Sequence, residues 1–180
     1  MSKFRSAMSL AVTGVNIVTT DGPLGRYGLT VSAVSSVSTE PPMVLVCVHQ
    51  KSIASNAIRE NGTFAINVLG TDQQSVAETF SGSDEHGEAY RFRKQDWLTQ
   101  VTGSPILKGA VASFDCEIDT VVPAATHSIF IGRVKATTEF QGTPLLYTQR
   151  RYGKPLCSTG HVPGARLFAG TKTVLERFCA

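Results

Sequence analysis

Hydroxyl side chains are concentrated in residues 30–38, where five of nine positions carry one. They are Thr30, Ser32, Ser35, Ser36 and Ser38. Because alternate residues of a strand share a face, an unbroken strand here would line one face with four of these hydroxyls. Such a face makes a poor core, but it can exchange hydrogen bonds with a polar ring or a phosphate. The segment therefore predicts either a ligand wall or the solvent-exposed face of an edge strand.

A possible phosphate site lies where a predicted strand ends and a predicted helix begins, at Val48, His49, Lys51 and Ser52. The first amides of a helix have no partner within the helix. Together with the Ser52 hydroxyl and the Lys51 ammonium, they could hold an anion. In the simpler interpretation, Ser52 is only the helix N-cap and Lys51 is only a surface charge.

A third group consists of Phe80, Ser81 and Gly82, followed by Arg91. Glycine permits close approach of the backbone, phenylalanine can cover a ring and arginine can pair with a phosphate. The basic residues at 91–94 are either a solvated loop or an anion contact. His127 lies between two predicted strands, where the rim of a barrel would expose it. A histidine in that place can position a ligand, or it can be structural or solvated.

Signatures of other chemistry are missing from the sequence. It contains no nucleophile elbow, P-loop, HExxH motif or Rossmann glycine fingerprint. Its four cysteines and four histidines lack metal-ligand spacing, so no metal site is predicted. Cys47 and Cys116 lie in apolar runs and are expected to be buried, reduced packing residues. A net charge of +3 without a basic stripe argues against a nucleic-acid partner.

The elements that must position these residues are mostly strands. Strands are predicted at residues 14–20, 27–38, 43–48, 64–69, 110–122, 128–138 and 145–147, with 43–48 buried on both faces. Helices are predicted at residues 2–10, 52–61 and 72–80, and residues 81–100 are predicted to form a long polar loop. Strands in hairpin-like succession favour a closed, mostly antiparallel barrel, because closure removes the sheet edges.

A chain of 180 residues with 42% hydrophobic and 17% charged residues predicts one folded domain. We expect this domain to span residues 1–155. Residues 156–180 are expected to form a partly mobile tail, with a short helix at 171–178. No apolar stretch approaches the ~20 residues of a membrane span. We therefore expect a soluble cytoplasmic protein without a membrane partner.

Short motifs along residues 4–152 occur in a distinctive order. They are FRSAM (4–8), TGVNIVTT (13–20), GLTVSAVSSVS (28–38), PP (41–42), KS (51–52), FAINVL (64–69), FSG (80–82), RF (91–92), Trp97, GSP (103–105), TH (126–127) and PLLY (144–147). In this order they resemble the flavin reductase family, which supplies reduced flavin to two-component monooxygenases. The branch most similar contains the reductase components of hydroxyphenylacetate and phenol hydroxylases, and the pyrimidine-utilisation flavin reductases are close relatives. The chain departs from the family pattern at Ala125, where many relatives have glycine, and at His49, where asparagine is more frequent.

The resemblance implies a mainly β fold with short helices, a Greek-key-like split β-barrel that binds FMN or FAD, usually as a homodimer. The strand at Thr30 would line the isoalloxazine ring and ribityl chain, and Ser35 and Ser36 would approach the phosphate. The implied flavin-binding residues are Thr30, Val31, Ser32, Ala33, Ser35, Ser36, Val48, His49, Lys51, Ser52, Phe80, Ser81, Gly82 and Arg91. His127 would lie beside the ring, where the nicotinamide stacks, and is the expected catalytic residue.

The expected function follows from the resemblance and from the missing acid–base machinery. Hydride transfer needs no strong protein acid or base, since the flavin and the nicotinamide carry the chemistry. We expect an NAD(P)H:flavin oxidoreductase that reduces FMN or FAD with NADH, or with NADPH, and supplies reduced flavin to a separate monooxygenase component. The alternative is a flavin-binding carrier or sensor module without turnover.

Overall fold

The structure, a computed structural model, describes residues 3–82 and 87–156. The helices are α1 (Lys3–Met8), α2 (Ile53–Asn61), α3 (Gln74–Ser81) and α4 (Glu88–Arg93). The strands are β1 (Thr13–Gly14), β2 (Asn16–Thr20), β3 (Tyr27–Val31), β4 (Val34–Thr39), β5 (Pro42–His49), β6 (Thr63–Val68), β7 (Trp97–Leu98), β8 (Ile106–Leu107), β9 (Ala112–Ala124), β10 (His127–Glu139), β11 (Leu146–Thr148) and β12 (Arg151–Gly153). The predicted helix at 171–178 and the rest of the predicted tail beyond residue 156 lie outside the described residues.

Seven strands form one antiparallel sheet in the order β3-β2-β6-β9-β10-β5-β4. The hairpin of β2 and β3 lies at one edge and the hairpin of β4 and β5 lies at the other, although β3 and β4 follow each other in the chain. Only Ser32 and Ala33 separate these two strands, and the Cys47 N–H donates a hydrogen bond to the Ala33 carbonyl at 3.0 Å. The sheet must therefore curl until its edges meet, which closes the barrel. The mainly β prediction is confirmed.

The prediction of a single strand at residues 27–38 is wrong, because two strands at opposite sheet edges cover this segment. β3 ends at Val31, which pairs with Asn16 at the start of β2. The Asn16 side-chain amide donates to the Val31 carbonyl at 3.3 Å. Beyond this pair β2 offers no further backbone partner, so the chain passes to β5, where new hydrogen bonds are available. The hydroxyls of Thr30 and Ser36 consequently stand on different strands and do not share one face.

Two hydrophobic clusters support the sheet from opposite faces. Ile17 and Val18 are neighbours in β2 and point to opposite sides of the pleat. The cluster around Val18 is Val18, Val44, Val46, Val48, Ile58, Phe64, Ile66, Cys116 and Phe130. The cluster around Ile17 is Val15, Ile17, Leu69, Val76, Ala77, Phe80, Phe92, Leu107, Ala110 and Leu145. The first includes Ile58 of α2, and the second anchors α3 and α4, which carry the candidate site residues Phe80, Ser81 and Arg91.

The prediction of a loop throughout residues 81–100 is wrong, because α4 and β7 lie within it. Phe92 of α4 is buried against Phe80 and Trp97, with ring centroids 5.2 and 4.8 Å apart respectively. This aromatic contact gives a short polar helix a fixed place on the sheet. The predicted helices at 52–61 and 72–80 are confirmed as α2 and α3, the latter preceded by a 3₁₀ turn at Thr71–Gln73.

The two predicted buried cysteines differ in environment. Cys116 is buried as expected, and burial, followed by the charge of Asp115, raises the pKa of its thiol to about 12. It is therefore an inert packing residue. Cys47 is only half-buried, because β5 fully buries alternate residues and Cys47 falls on the other face. The strand at 43–48 is for the same reason buried on one face rather than on both.

Candidate functional site

A cavity of about 330 Å³ brings together residues from four elements that are distant in the sequence. Its walls are Gly28, Leu29, Thr30, Ser52, Ile53, Ala54, Phe80, Ser81, Gly82, Glu88 and Arg91. We call it the arginine cavity. It joins the end of α3, one face of α4, the strand β3 and the N-terminus of α2. Of the predicted flavin-binding residues, Thr30, Ser52, Phe80, Ser81, Gly82 and Arg91 therefore meet in one place.

The N-terminus of α2 opens into this cavity. The chain leaves β5 in a turn in which the Ser52 N–H donates to the His49 carbonyl at 2.9 Å. Ser52 is the N-cap, with extended φ and ψ of −70° and 132°, but its hydroxyl makes no capping hydrogen bond. The hydroxyl and the first amides of the helix are thus available to an anion. At the other end, Gly62 terminates α2 with a φ of 73° and donates to the Ile58 carbonyl.

Arg91 provides a buried positive charge in the wall of the cavity. It is only 7% exposed. Its Nη1 donates to the Glu88 carboxylate at 2.9 Å, and its Nη2 donates to the Gly82 carbonyl. Its Nε is buried without a hydrogen-bond partner among the described residues. A buried unpaired donor is costly, and an anion that accepts its hydrogen bond would remove that cost.

A phosphate group fits this arrangement. The cavity offers the N-terminal end of a helix dipole, a free serine hydroxyl and a guanidinium with an unused donor, which is the donor set that phosphate groups prefer. Ser52 and Arg91 would hold the phosphate. The phosphate-site hypothesis based on sequence named Lys51 as well, but the exposed Lys51 side chain does not line the cavity.

Close contact between β3 and α3 shapes the floor of the cavity. A Cβ atom added to Gly28 would lie 2.7 Å from Cε1 of Phe80, so only glycine fits there. Phe80 is 2% exposed, and its ring packs edge-on against Trp97 at 5.8 Å between centroids. The Thr30 hydroxyl donates to the Ala77 carbonyl at 2.7 Å, which ties β3 to α3.

A second cavity of about 260 Å³ lies next to the first and shares Thr30 and Ser81 with it. Its walls are Val15, Thr30, Val31, Ser32, Ser81, Tyr147 and Tyr152, and we call it the tyrosine cavity. A ligand with a phosphate at one end and a ring at the other could extend from the arginine cavity into this one. The predicted wall residues Val31 and Ser32 are placed here.

The sequence interpretation missed the two tyrosines. Tyr147 and Tyr152 pair directly across the hairpin of β11 and β12, and their rings meet edge-on at 5.2 Å between centroids. Burial, followed by the negative charge of Glu78, raises the pKa of Tyr152 above its ordinary value. The phenol therefore stays protonated at neutral pH and can donate a hydrogen bond. The available signal was a pair of aromatic residues on either side of a turn at residues 149–150.

The predicted catalytic histidine lies apart from both cavities. His127 begins β10 opposite His49, the last residue of β5. Their rings are 5.0 Å apart between centroids, and both residues are exposed. His127 Nδ1 lies 2.9 Å from the Thr126 hydroxyl, and the Lys51 N–H donates to His49 Nδ1 at 3.1 Å. We call these two residues the histidine pair.

Several other predicted flavin-binding residues also fall outside the two cavities. They are Ala33, Ser35, Ser36, Val48, His49 and Lys51. Ser35 and Ser36 are exposed on β4, where the Ser35 hydroxyl donates to the Ser36 carbonyl at 3.1 Å. Val48 is 1% exposed and belongs to the barrel core. One described chain thus assembles only the part of the predicted site that faces α3 and α4.

Within residues 3–82 and 87–156, no group of three or more His, Cys, Asp or Glu side chains is arranged to hold a metal ion. In the same described ranges, no helix is long and apolar enough to cross a membrane.

Known proteins resemble the chain over most of its length. Residues 8–155 match the model of the flavin reductase like domain. FMN reductase (NADH) RutF of Serratia proteamaculans (strain 568) is 42% identical over 150 residues, which cover 83% of this chain and 85% of that protein.

Two solved structures share the fold. Streptomyces globisporus C-1027 NADH:FAD oxidoreductase SgcE6, in complex with NAD and FAD fragments, superposes with a TM-score of 0.80 at 28% identity, covering 87% of this chain and 93% of that one. The styrene monooxygenase flavin reductase SMOB of Pseudomonas putida S12 gives a TM-score of 0.76 at 30% identity, covering 86% and 99%. The split-barrel prediction is confirmed.

Proposed function

The chain belongs to the flavin reductase-like family, and from this premise we propose that it reduces FMN with NADH. The arginine cavity carries the proposal, because it combines a helix N-terminus, the Ser52 hydroxyl and the unpaired Nε of buried Arg91. Relatives named FMN reductase (NADH) support the choice of flavin and of nicotinamide. A bound flavin would supply the redox chemistry by accepting a hydride from NADH.

The protein's own residues bind and orient in this proposal. Ser52 and Arg91 hold the phosphate, and the wall at Thr30 and Ser32 faces the rest of the flavin. Backbone N–H groups at residues 31–33, where the chain crosses between sheet edges, favour negative charge on the reduced ring. The absence of a strong acid or base among these groups suits a reaction whose rate depends on holding two rings in a productive orientation.

We propose that His127 positions the nicotinamide and that the protein is a homodimer. His127 is exposed and lines neither cavity, so a second copy would be needed to enclose it. The helix α1 buries none of its residues, and Phe4 is 72% exposed. Apolar surface of this kind favours association with another copy. Light scattering on the purified protein would measure the mass, and a monomeric mass at micromolar concentration would contradict this part of the proposal.

We further propose that the reduced flavin passes to a separate monooxygenase component. The similarity to SMOB, a styrene monooxygenase flavin reductase, supports this role. The partner would take up a free reduced flavin, so an oxygenase supplied with its substrate, O2, flavin, NADH and this protein should form its hydroxylated or epoxidised product. Separation of the two proteins by a dialysis membrane that passes flavin would test for transfer by diffusion.

The central experiment measures the loss of NADH absorbance with added FMN, FAD or riboflavin. We expect turnover that depends on flavin, with a lower KM for FMN than for riboflavin because riboflavin lacks the phosphate. NADPH in place of NADH tests the nicotinamide preference. Flavin binding without turnover would instead support the carrier or sensor alternative. A flat trace with every flavin and both nicotinamides, and no flavin binding, would overturn the proposal.

A further inference from the structure

An acidic side chain lies in the wall of the arginine cavity, where a phosphate would bind. Glu88 Oε1 accepts a hydrogen bond from Arg91 Nη1 at 2.9 Å. Its Oε2 accepts one from the Gly28 N–H at 3.2 Å. The Glu88 side chain is 29% exposed, whereas that of Arg91 is 8% exposed. The carboxylate therefore neutralises the buried cation and still faces the cavity.

We infer that Glu88 weakens the binding of the flavin phosphate and so sets the affinity for flavin. This inference rests on the proposed function. A phosphate in the cavity would meet one positive side chain that is already paired with a negative one, together with the partial charge at the N-terminus of α2. A carboxylate in the wall of a phosphate site raises the energy of the bound state through like-charge repulsion. For a protein that hands its reduced flavin to another enzyme, such weakening speeds release of the flavin.

The repulsion depends on the charge of the phosphate, so the effect of Glu88 should differ between flavins that carry different phosphate charges. The phosphate monoester of FMN carries close to two negative charges at neutral pH, because its second pKa is about 6. FAD presents a single charge at the corresponding phosphate, and riboflavin presents none. Glu88 should thus oppose FMN most, FAD less and riboflavin not at all. Glu88 would therefore reduce the factor by which the site binds FMN more tightly than riboflavin.

A single substitution can separate this electrostatic role of Glu88 from its structural role in the cavity wall. Glu88 also holds α4 to β3 through the Gly28 N–H, so loss of the whole side chain would loosen the cavity wall. The variant Glu88→Gln keeps the length of the side chain and one oxygen that can accept a hydrogen bond, but removes the charge. The matched control is Glu60→Gln, which removes one negative charge from an exposed position near the C-terminus of α2.

The experiment measures the Kd values of riboflavin, FMN and FAD by quenching of flavin fluorescence, for the unaltered protein and both variants. We expect Glu88→Gln to bind FMN roughly tenfold more tightly, FAD less so and riboflavin unchanged, with the gain shrinking at high salt. Glu60→Gln should leave all three Kd values unaltered. Weaker binding of all three flavins by Glu88→Gln would indicate a structural role only and would overturn the inference.

The outcomes also separate the inference from the proposed function. If the unaltered protein binds FMN more tightly than riboflavin and Glu88→Gln changes neither Kd, the inference alone fails. If the unaltered protein binds none of the three flavins, the proposed function fails and takes the inference with it.

Discussion

Residues of the arginine cavity and of the histidine pair were predicted to form one site, but the fold holds the two groups in place differently. Around the cavity, Arg91 and Phe80 are buried, and each is held by contacts to another element. His49 and His127 stand exposed at strand ends, in contact mainly with each other and with adjacent turns. Core packing therefore fixes the part that fits a phosphate. The part expected to meet the nicotinamide relies on strand ends, and in our proposal on a second copy.

The largest expected effect is on the binding of the flavin phosphate in the arginine cavity. Arg91→Gln removes the buried charge while keeping a polar group near the Gly82 carbonyl. Since a hydrogen bond to a charged group contributes about 1.5–3 kcal/mol, the Kd for FMN should rise roughly 10- to 100-fold. The Kd for riboflavin should stay nearly constant. Titration of both flavins measures the difference, and Arg93→Gln on the exposed face of the same helix is the control. An equal increase in the Kd values of FMN and riboflavin would contradict a phosphate-binding role for Arg91.

A second change tests whether core packing holds the cavity in place. Gly28→Ala inserts a Cβ 2.7 Å from the buried ring of Phe80. Overpacking of this kind costs about 1–3 kcal/mol, so the free energy of unfolding should fall by that amount in urea titrations. Gly82→Ala is the matched control, because its added Cβ meets no atom within 4 Å and its φ of −115° suits alanine. Equal stability of the two variants would show that β3 can move away from α3 without cost.

The third change addresses the histidine pair. His127→Asn should lower kcat/KM for NADH about tenfold, the effect of losing ~1.4 kcal/mol of transition-state binding. The melting temperature and the Kd for FMN should not change, because the side chain is exposed and lines neither cavity. His49→Asn, at the neighbouring ring, shows whether the effect belongs to His127 alone or to both rings of the histidine pair. Unaltered kinetics in the His127 variant would remove the proposed nicotinamide role.

The smallest effect concerns the hairpin of β9 and β10, which carries His127 directly after its turn. A hydrogen bond from Arg133 to Asp119, at 2.7 Å, holds the pKa of this exposed carboxyl below its usual range. The contribution is present above the ordinary pKa of about 4 and is lost as pH falls through the lower value of the folded state. Thermal melts of the protein and of Asp119→Asn should differ slightly at neutral pH and converge in acid. A difference that grows in acid would contradict this sign.

Short sequence patterns predicted the helices and strands whose ends are set by neighbouring residues in the chain. The helix α2 was visible because Ser52 precedes it and Gly62 follows it, and β5 because its apolar run ends at polar residues. The division of residues 27–38 was not visible, since no glycine, proline, asparagine or aspartate interrupts residues 29–38 to mark a turn. There the decisive fact is that β2 starts at Asn16, the partner of Val31, so that β2 has no residue to pair with the chain beyond Val31.

In the candidate site, too, the sequence did not predict features that depend on contacts between distant residues. Arg91, predicted from the sequence as a flavin-binding residue, lines the arginine cavity, but its helix was missed. A segment of six residues is too short to form a stable helix by itself, and α4 depends on the contacts of Phe92 with Phe80 and Trp97. Tyr152 was missed because a strand of three residues has no periodicity to detect.

The crossing at Ser32 and Ala33 has a consequence for biosynthesis. The hairpins β2–β3 and β4–β5 leave the ribosome first and each can pair locally, but they belong to opposite edges of the finished sheet. The strands that must stand between them, β6, β9 and β10, are translated later, and β10 ends only at Glu139. A nascent chain therefore carries both halves of the crossing long before its two edges can be brought together, and such non-local pairing is slow. The crossing is therefore expected to be among the last parts of the protein to fold.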